Sequence, residues 1–258
     1  MDSFPRQKLK ATLTDTSKIP LVLVACGSFS PITYLHLRMF EMALDWVNDH
    51  GAYEILGGYF SPVSDGYDKK GLAPWKHRVK MCELSVMESK WLMVDSWEAS
   101  RPTWSKTLSV LEHFDEHLNG KNNEYCCVLP DGTKKRIKIM LLAGGDLIQS
   151  FAVPKLWAES DLDTILGVKF GCVVIERTGA DIHDFLLKSD ALYRNRKSVF
   201  VVKQFIHNDI SSTKIRLFVR RNMSIKYLLP DAVIDYIYKV DLYSLPQDKD
   251  DDDDAHII

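Results

Sequence analysis

LVLVACGSFSPITYLHLRMFEMAL, residues 21–44, decides how the rest of the chain is read. The run Leu21 to Val24 lacks polar alternation, as does a strand buried on both faces of a parallel sheet. Gly27 stands at its end, where a residue without Cβ lets the backbone bend sharply or come close to a ligand. Pro31 stops continuous strand or helix there. Thr33 can cap a following helix whose inner stripe is Phe40, Ala43, Leu44 and Val47. Thr33 and His36 are three apart and share a face at the first turn, beside N–H groups with no helical partner. This predicts an anion site with an imidazole over it, and it also fits an ordinary helix start with a polar histidine. Neither G-x-G-x-x-G nor G-x-x-x-x-G-K-[ST] occurs here, so phosphate chemistry would use another arrangement.

The bulk numbers agree with a large α/β core. The chain has 258 residues, 46% hydrophobic and 26% charged, enough for one large domain or two small ones. No run approaches transmembrane length, and MDSFPRQKLKATLTDTSK is too polar for a secretory leader. Five cysteines, an odd number, lie largely in apolar segments, which predicts core thiols in a reduced intracellular protein. The net charge of −2 hides an acidic tail, QDKDDDDDAHII, that carries −5 and leaves a body of +3. A mildly basic body favours small anionic substrates, with no nucleic-acid footprint and no membrane segment. The expected organisation is a polar leader over residues 1–18, one domain over 19–246 with a surface excursion at 119–137, and a disordered acidic tail over 247–258. Lys134, Lys135 and Arg136 make a weak nuclear import signal, so nucleus or cytoplasm is the expected location. A homo-oligomer is compatible with the sequence, which does not fix the assembly.

Further along, YEILGGYF (53–60) reads as a second strand whose glycines admit a close neighbour, and SPVSDGYDKKGLAP (61–74) as a loop bearing Lys69 and Lys70. A helix over 75–88 has Val79, Cys82 and Val86 on one side. Residues 91–95 are a short third strand, and the next helix is expected to begin around Pro102, with Trp97 and Trp104 flanking the connection. Asp131-Gly132 predicts a small hairpin. IMLLA (139–143) is another buried strand, running into Gly144, Gly145 and Asp146. A carboxylate there can hold a ribose hydroxyl or a magnesium-bound water, or merely cap a helix near Leu147. Strands at 170–175 and 199–202 follow, the latter after a basic turn with Arg194 and Arg196 as anion-clamp or surface residues. Asp209, Ser211, Ser212 and Thr213 precede another helix, more hydroxyls than one cap requires. Arg216 lies one turn beyond Ser212, so guanidinium and helix-terminal donors are expected to converge on phosphoryl oxygens. The predicted fold is α/β: a doubly wound, mostly parallel six-stranded sheet with helices on both faces, its ligand loops meeting at the carboxyl edge.

Five segments carry a resemblance. GSFSPITYLH (27–36) resembles the G-x-F-x-P-x-[HT]-x-G-H signature of the nucleotidylyltransferase superfamily, and ISSTKIR (210–216) resembles its second signature. SPVSDGYDKKGL (61–72), VDSWEASRPTWSKT (94–107) and LLAGGDLIQSFAVPKLW (141–157) are similar to the eukaryotic nicotinamide/nicotinic acid mononucleotide adenylyltransferases. The likeness spans residues 20–245, with Leu35 where the general signature has glycine. It implies a Rossmann-like nucleotidyltransferase fold and adenylyl transfer from ATP, with magnesium, to NMN or NaMN. By the same resemblance Gly27, Ser28 and Phe29 line the dinucleotide, His36 contacts ATP phosphates, and Lys69 faces the mononucleotide phosphate; Thr33, at the helix start, is a further candidate for the nucleotide site. Trp104 and Trp157 wall the nicotinamide ring with Thr107 and Leu156 nearby, and Gly144 and Asp146 meet ribose. Arg196 and Asn208 are further nucleotide-site positions, and Ser211, Ser212, Thr213 and Arg216 hold phosphates. His36, Lys69 and Arg216 would carry catalysis, with no protein cluster for the metal. The competing expectations are a nucleotidyltransferase for another phosphorylated acceptor and a chaperone or interaction protein built on this fold.

Overall fold

The apolar run quoted first forms the middle of a sheet in a computed structural model, which describes residues 4–67, 69–120, 126–151, 153, 156–176, 187 and 190–244. In chain order the elements are β1 (Ile19–Gly27), α1 (Tyr34–His50), β2 (Tyr53–Pro62), α2 (Trp75–Ser85), β3 (Leu92–Val94) and α3 (Thr107–Asn119). A small hairpin follows, β4 (Cys127–Val128) and β5 (Lys134–Lys135), then β6 (Lys138–Gly144), α4 (Gly145–Phe151) and α5 (Glu159–Leu166). The last part is β7 (Cys172–Glu176), α6 (Asp190–Asn195), β8 (Val199–Lys203), α7 (Ser212–Arg220) and α8 (Asp231–Lys239).

Six strands form one sheet in the order β3-β2-β1-β6-β7-β8, and every pairing is parallel. The chain winds outward from β1 to β3, returns to β1's other side, and winds outward again. The reversal makes a crevice between the carboxyl ends of β1 and β6, where open α/β sheets bind ligands. Both faces are covered. Leu21, Leu23 and Ala25 of β1 point toward α1, α2, α7 and α8, while Val22 and Val24 point toward α3, α4, α5 and α6. That two-sided burial is the physical reason for the unbroken apolar run, since each such side chain contributes about 1.5–3 kcal/mol.

The glycines of β2 serve packing. A Cβ at Gly58 would stand 2.8 Å from the ring of Phe40 and from Leu92. The close neighbour expected there is therefore the inner side of α1. Residues 4–18 also pack: Phe4 and Leu13 are in the core, Tyr59 OH donates to Pro5 O, and the Glu54 carboxylate receives the amides of Thr14 and Asp15 and the Lys10 ammonium. The 131–132 hairpin is present, with Thr133 N–H donating to Asp131 Oδ1 at 2.9 Å. Two boundaries differ from expectation. The third helix starts at Thr107, five residues after Pro102, so Trp104 sits on a loop. The basic stretch before β8 is helix α6 with a 3-10 turn at Arg196–Ser198. The acidic tail lies outside the described residues. Among those described, no helix is long and apolar enough to cross a membrane.

Candidate active site

The two segments of highest sequence signal, 181 residues apart, are bonded to each other. Ser212 Oγ, at the start of α7, donates to Pro31 O at 2.8 Å. Arg216 Nη1 donates to Ser30 O at 2.7 Å, and its Nη2 reaches Thr213 Oγ1 at 3.4 Å. The loop after β1 is thus held against the first turn of α7. A second clamp comes from Arg78, which is fully buried. Its Nε donates to Ala73 O (2.8 Å), Nη1 to Ser28 O (3.1 Å) and Nη2 to Asp65 Oδ1 (2.9 Å). It joins the loop after β1 to the 61–74 loop after β2. That loop in turn meets the one before α3, because Gly66 lies where a Cβ would be 2.8 Å from Trp104 N.

These loops enclose a cleft of about 620 Å³ over the β1–β6 switch point, a size suited to small-molecule ligands. Its lining has two sides. On the α1 and α7 side are Phe29, His36, Ser211, Ser212 and Thr213; on the α3 and α4 side are Cys26, Glu98, Trp104, Thr107, Leu147 and Trp157; Gly27, Ser28 and Gly144 lie at the floor and Lys69 at the rim. Thr33 N–H donates to His36 Nδ1 at 3.0 Å, and the Thr33 hydroxyl is 2.8 Å from the same nitrogen. A backbone N–H can only donate, so Nδ1 is the accepting nitrogen and the neutral ring carries its proton on Nε2. His36 therefore carries its N–H on Nε2, and the residue lines the cleft. Ser211 is the N-cap of α7 and accepts from Lys214 N–H, leaving the remaining first-turn N–H groups for an anion. Trp157 Nε1 donates to Ser150 Oγ at 3.1 Å and its ring meets Phe151 edge-on at 4.7 Å, which fixes its plane. Trp104 is 49% exposed, a large apolar surface facing the opening.

Several expected residues stand elsewhere. Arg216 is 8% exposed and sits behind the lining, bonded to the Ser30 carbonyl, so it shapes the anion wall from behind. Thr33 likewise acts through His36. Arg196 is not brought to the cleft: it precedes β8, at the amino edge of a parallel sheet, and packs on Tyr193. Arg194 pairs with Glu159 and Asp163 on the surface. Leu156 is 58% exposed and outside the lining, and Asn208 Oδ1 accepts from Ile210 N–H beside it. Asp146 falls in the first turn of α4; its side chain is outside the described atoms.

Gln204 and Glu98 are among the lining residues that escaped the sequence reading. Gln204 follows β8 and has a buried side-chain Nε2 without a protein partner among the described residues. Glu98, in the connection after β3, is a 2% exposed carboxyl that accepts from Ser61 Oγ at 2.6 Å. Burial pushes its pKa up to about 7, while Ser61 and Arg78 pull it down and Asp95 adds to the rise. Burial and the charge of Glu98 raise the neighbouring Cys26 thiol far above its ordinary range, so it is no nucleophile. Both residues follow a strand's carboxyl end, and that rule applied to β3 and β8 reaches them.

Fold and crevice define a nucleotidyltransferase-type α/β protein, and a cytidylyltransferase-like family profile matches residues 24–218. The chain belongs to that family. It is 56% identical over 241 residues to "Nicotinamide/nicotinic acid mononucleotide adenylyltransferase 2" of Saccharomyces cerevisiae, covering 93% of this chain and 60% of the yeast protein. It is 40% identical to "Nicotinamide/nicotinic acid mononucleotide adenylyltransferase 1" of Bos taurus, covering 90% of this chain and 92% of the bovine one. Within the family it therefore falls among the nicotinamide/nicotinic acid mononucleotide adenylyltransferases. The chain spans about 60% of the length of the yeast relatives it matches. A solved structure, "Plasmodium falciparum nicotinic acid mononucleotide adenylyltransferase complexed with APC", shares the fold with a TM-score of 0.57 at 20% identity, over 86% of this chain and 96% of that one.

Proposed function

We propose that this chain transfers the adenylyl group of ATP to nicotinamide mononucleotide, and also to nicotinic acid mononucleotide, forming NAD or its acid form and releasing pyrophosphate. One observation carries the reading. A single crevice has an imidazole and a hydroxyl-rich helix start on one face of the sheet and two tryptophans on the other. The first set suits a triphosphate and the second a flat aromatic acceptor.

The acceptor's phosphate oxygen is already a nucleophile. It attacks the α-phosphorus of ATP as the bond from that phosphorus to the pyrophosphate oxygen breaks, so no covalent enzyme intermediate is needed. The protein's work is to align two polyanions and stabilise charge on the α-phosphate and departing pyrophosphate. His36 Nε2–H and the amides and hydroxyls of Ser211, Ser212 and Thr213 bind the triphosphate. Lys69 meets the acceptor phosphate, and Trp104 and Trp157 hold the ring. Arg216 and Thr33 position this set. Magnesium would be carried on ATP by phosphates and water; among the described residues no group of three or more His, Cys, Asp or Glu could hold a metal. When bound on ATP, magnesium neutralises phosphate charge. Small nucleotides are then the partners, and a reduced compartment, nucleus or cytoplasm, fits the five cysteines, all free.

The test is a coupled assay with ATP, magnesium and a panel of phosphorylated acceptors, read as pyrophosphate release. Turnover with both pyridine mononucleotides and far less with acceptors lacking an aromatic ring is expected. Preference for a non-aromatic acceptor would refute the assignment.

A further inference from the structure

Glu98 has no task in the chemistry above, yet it occupies a costly position. Its carboxyl is almost wholly buried, lines the crevice, and receives one hydrogen bond among the described residues, from Ser61 Oγ. The nearest guanidinium, Arg78, is spent on Ala73, Ser28 and Asp65. A carboxyl kept in such surroundings must bind a proton or find a ligand group. It lies on the acceptor side: Ser61 and Cys26 are register partners on β2 and β1, Cys26, Trp157 and Leu147 pack against the same core on the α3 and α4 face, and all three line the crevice with Glu98.

Resting on the function proposed above, the two acceptors differ only in the ring substituent, a carboxamide or a carboxylate. Ribose, phosphate, ATP and magnesium are common to both and cancel in a ratio of their rates. We propose that Glu98 faces this substituent and sets the choice between amide and acid acceptors by its own protonation. As a carboxylate it accepts from the amide N–H and repels the acid's carboxylate; protonated, it donates to that carboxylate. Burial brings its titration to about pH 7, within the working range. The groups facing it are Ser61 of β2, Cys26 of β1, Arg78 of α2, and Asp95 after β3, whose carboxylate is held by His113 of α3 at 2.8 Å; Lys69 reaches the same crevice from the 61–74 loop. Of the groups acting on Glu98, Ser61 favours its ionised form through a hydrogen bond, Arg78 favours it through charge, and Asp95 opposes it.

The measurement is kcat/KM for the acid mononucleotide divided by that for the amide, from about pH 6 to about pH 8.5. In the unmodified protein the ratio should fall at least about tenfold, toward the tenfold per pH unit of a single titrating group. In Glu98→Gln it should change less than about threefold, because the side chain cannot ionise. Should that variant not fold, Ser61→Ala serves: losing the bond that favours the carboxylate moves the fall to higher pH. A pH-independent ratio in the unmodified protein, or an equal fall in Glu98→Gln, or an unmoved midpoint in Ser61→Ala, overturns the inference alone. Turnover of neither mononucleotide overturns the proposed function and the inference with it.

Discussion

Replacing His36 separates two jobs that one side chain performs. Its Nδ1 receives the Thr33 N–H at the start of α1, and its Nε2–H is the donor proposed above for the triphosphate. His36→Ala removes both. Losing the helix-start bond should cost about 1 kcal/mol of stability. Losing a donor to charge that grows in the transition state should cost about 2.7–4 kcal/mol in activation free energy, or about 10²–10³ in kcat. His36→Gln restores an acceptor at the third helical position, as in a capping box, without restoring the imidazole N–H. It should recover most of the stability and leave kcat at least about tenfold low. The assay is single-turnover dinucleotide formation under saturating ATP, beside calorimetric ATP binding and urea unfolding. ATP affinity should change less than kcat in both variants, since a donor that acts on developing charge contributes little to the ground state. A folded His36→Ala with a single-turnover rate within about threefold of the unmodified protein would falsify this role.

Arg78→Ala leaves two backbone carbonyls and Asp65 without their shared donor, and should lower stability by about 3–5 kcal/mol; urea unfolding measures it, and a loss below about 1 kcal/mol contradicts the clamp. Trp157→Ala should raise KM for either mononucleotide about tenfold while KM for ATP moves less than about threefold, because a stacked ring is worth on the order of 1 kcal/mol; equal losses for both substrates would put the ring elsewhere. Glu98, whose pKa rises on folding from 4.5 to about 7, favours the folded state fully below pH 4.5. That contribution is lost as pH climbs through about 7, on the order of 3 kcal/mol in total. Urea unfolding of the ligand-free protein across this range should show the decline, and Glu98→Gln should flatten it.

The chain's local chemistry already determined much of this molecule. Unbroken apolar runs at 21–24, 139–143 and 199–202 could only be strands covered on both faces, which requires helices between them and a parallel order. A glycine at the end of β1, a threonine and histidine three apart, and three hydroxyls at the start of α7 marked an anion site, because these features depend on neighbours within one turn. The two tryptophans could be carried over by resemblance, yet their place on one side of a crevice could not be read from spacing. Tertiary structure alone decided what remote groups do to one another. Arg216 and Arg196 look alike as basic residues near basic neighbours, but one is drawn beneath the Ser30 carbonyl and the other stays at the sheet's far edge. Arg78 is a first-turn arginine in the sequence and a buried clamp between two loops in the fold. Glu98 acquires its raised pKa from burial, with Asp95 adding to the rise against the pull of Ser61 of β2 and Arg78 of α2, a balance that no window of sequence contains because these groups are remote from it along the chain or brought to it by the fold.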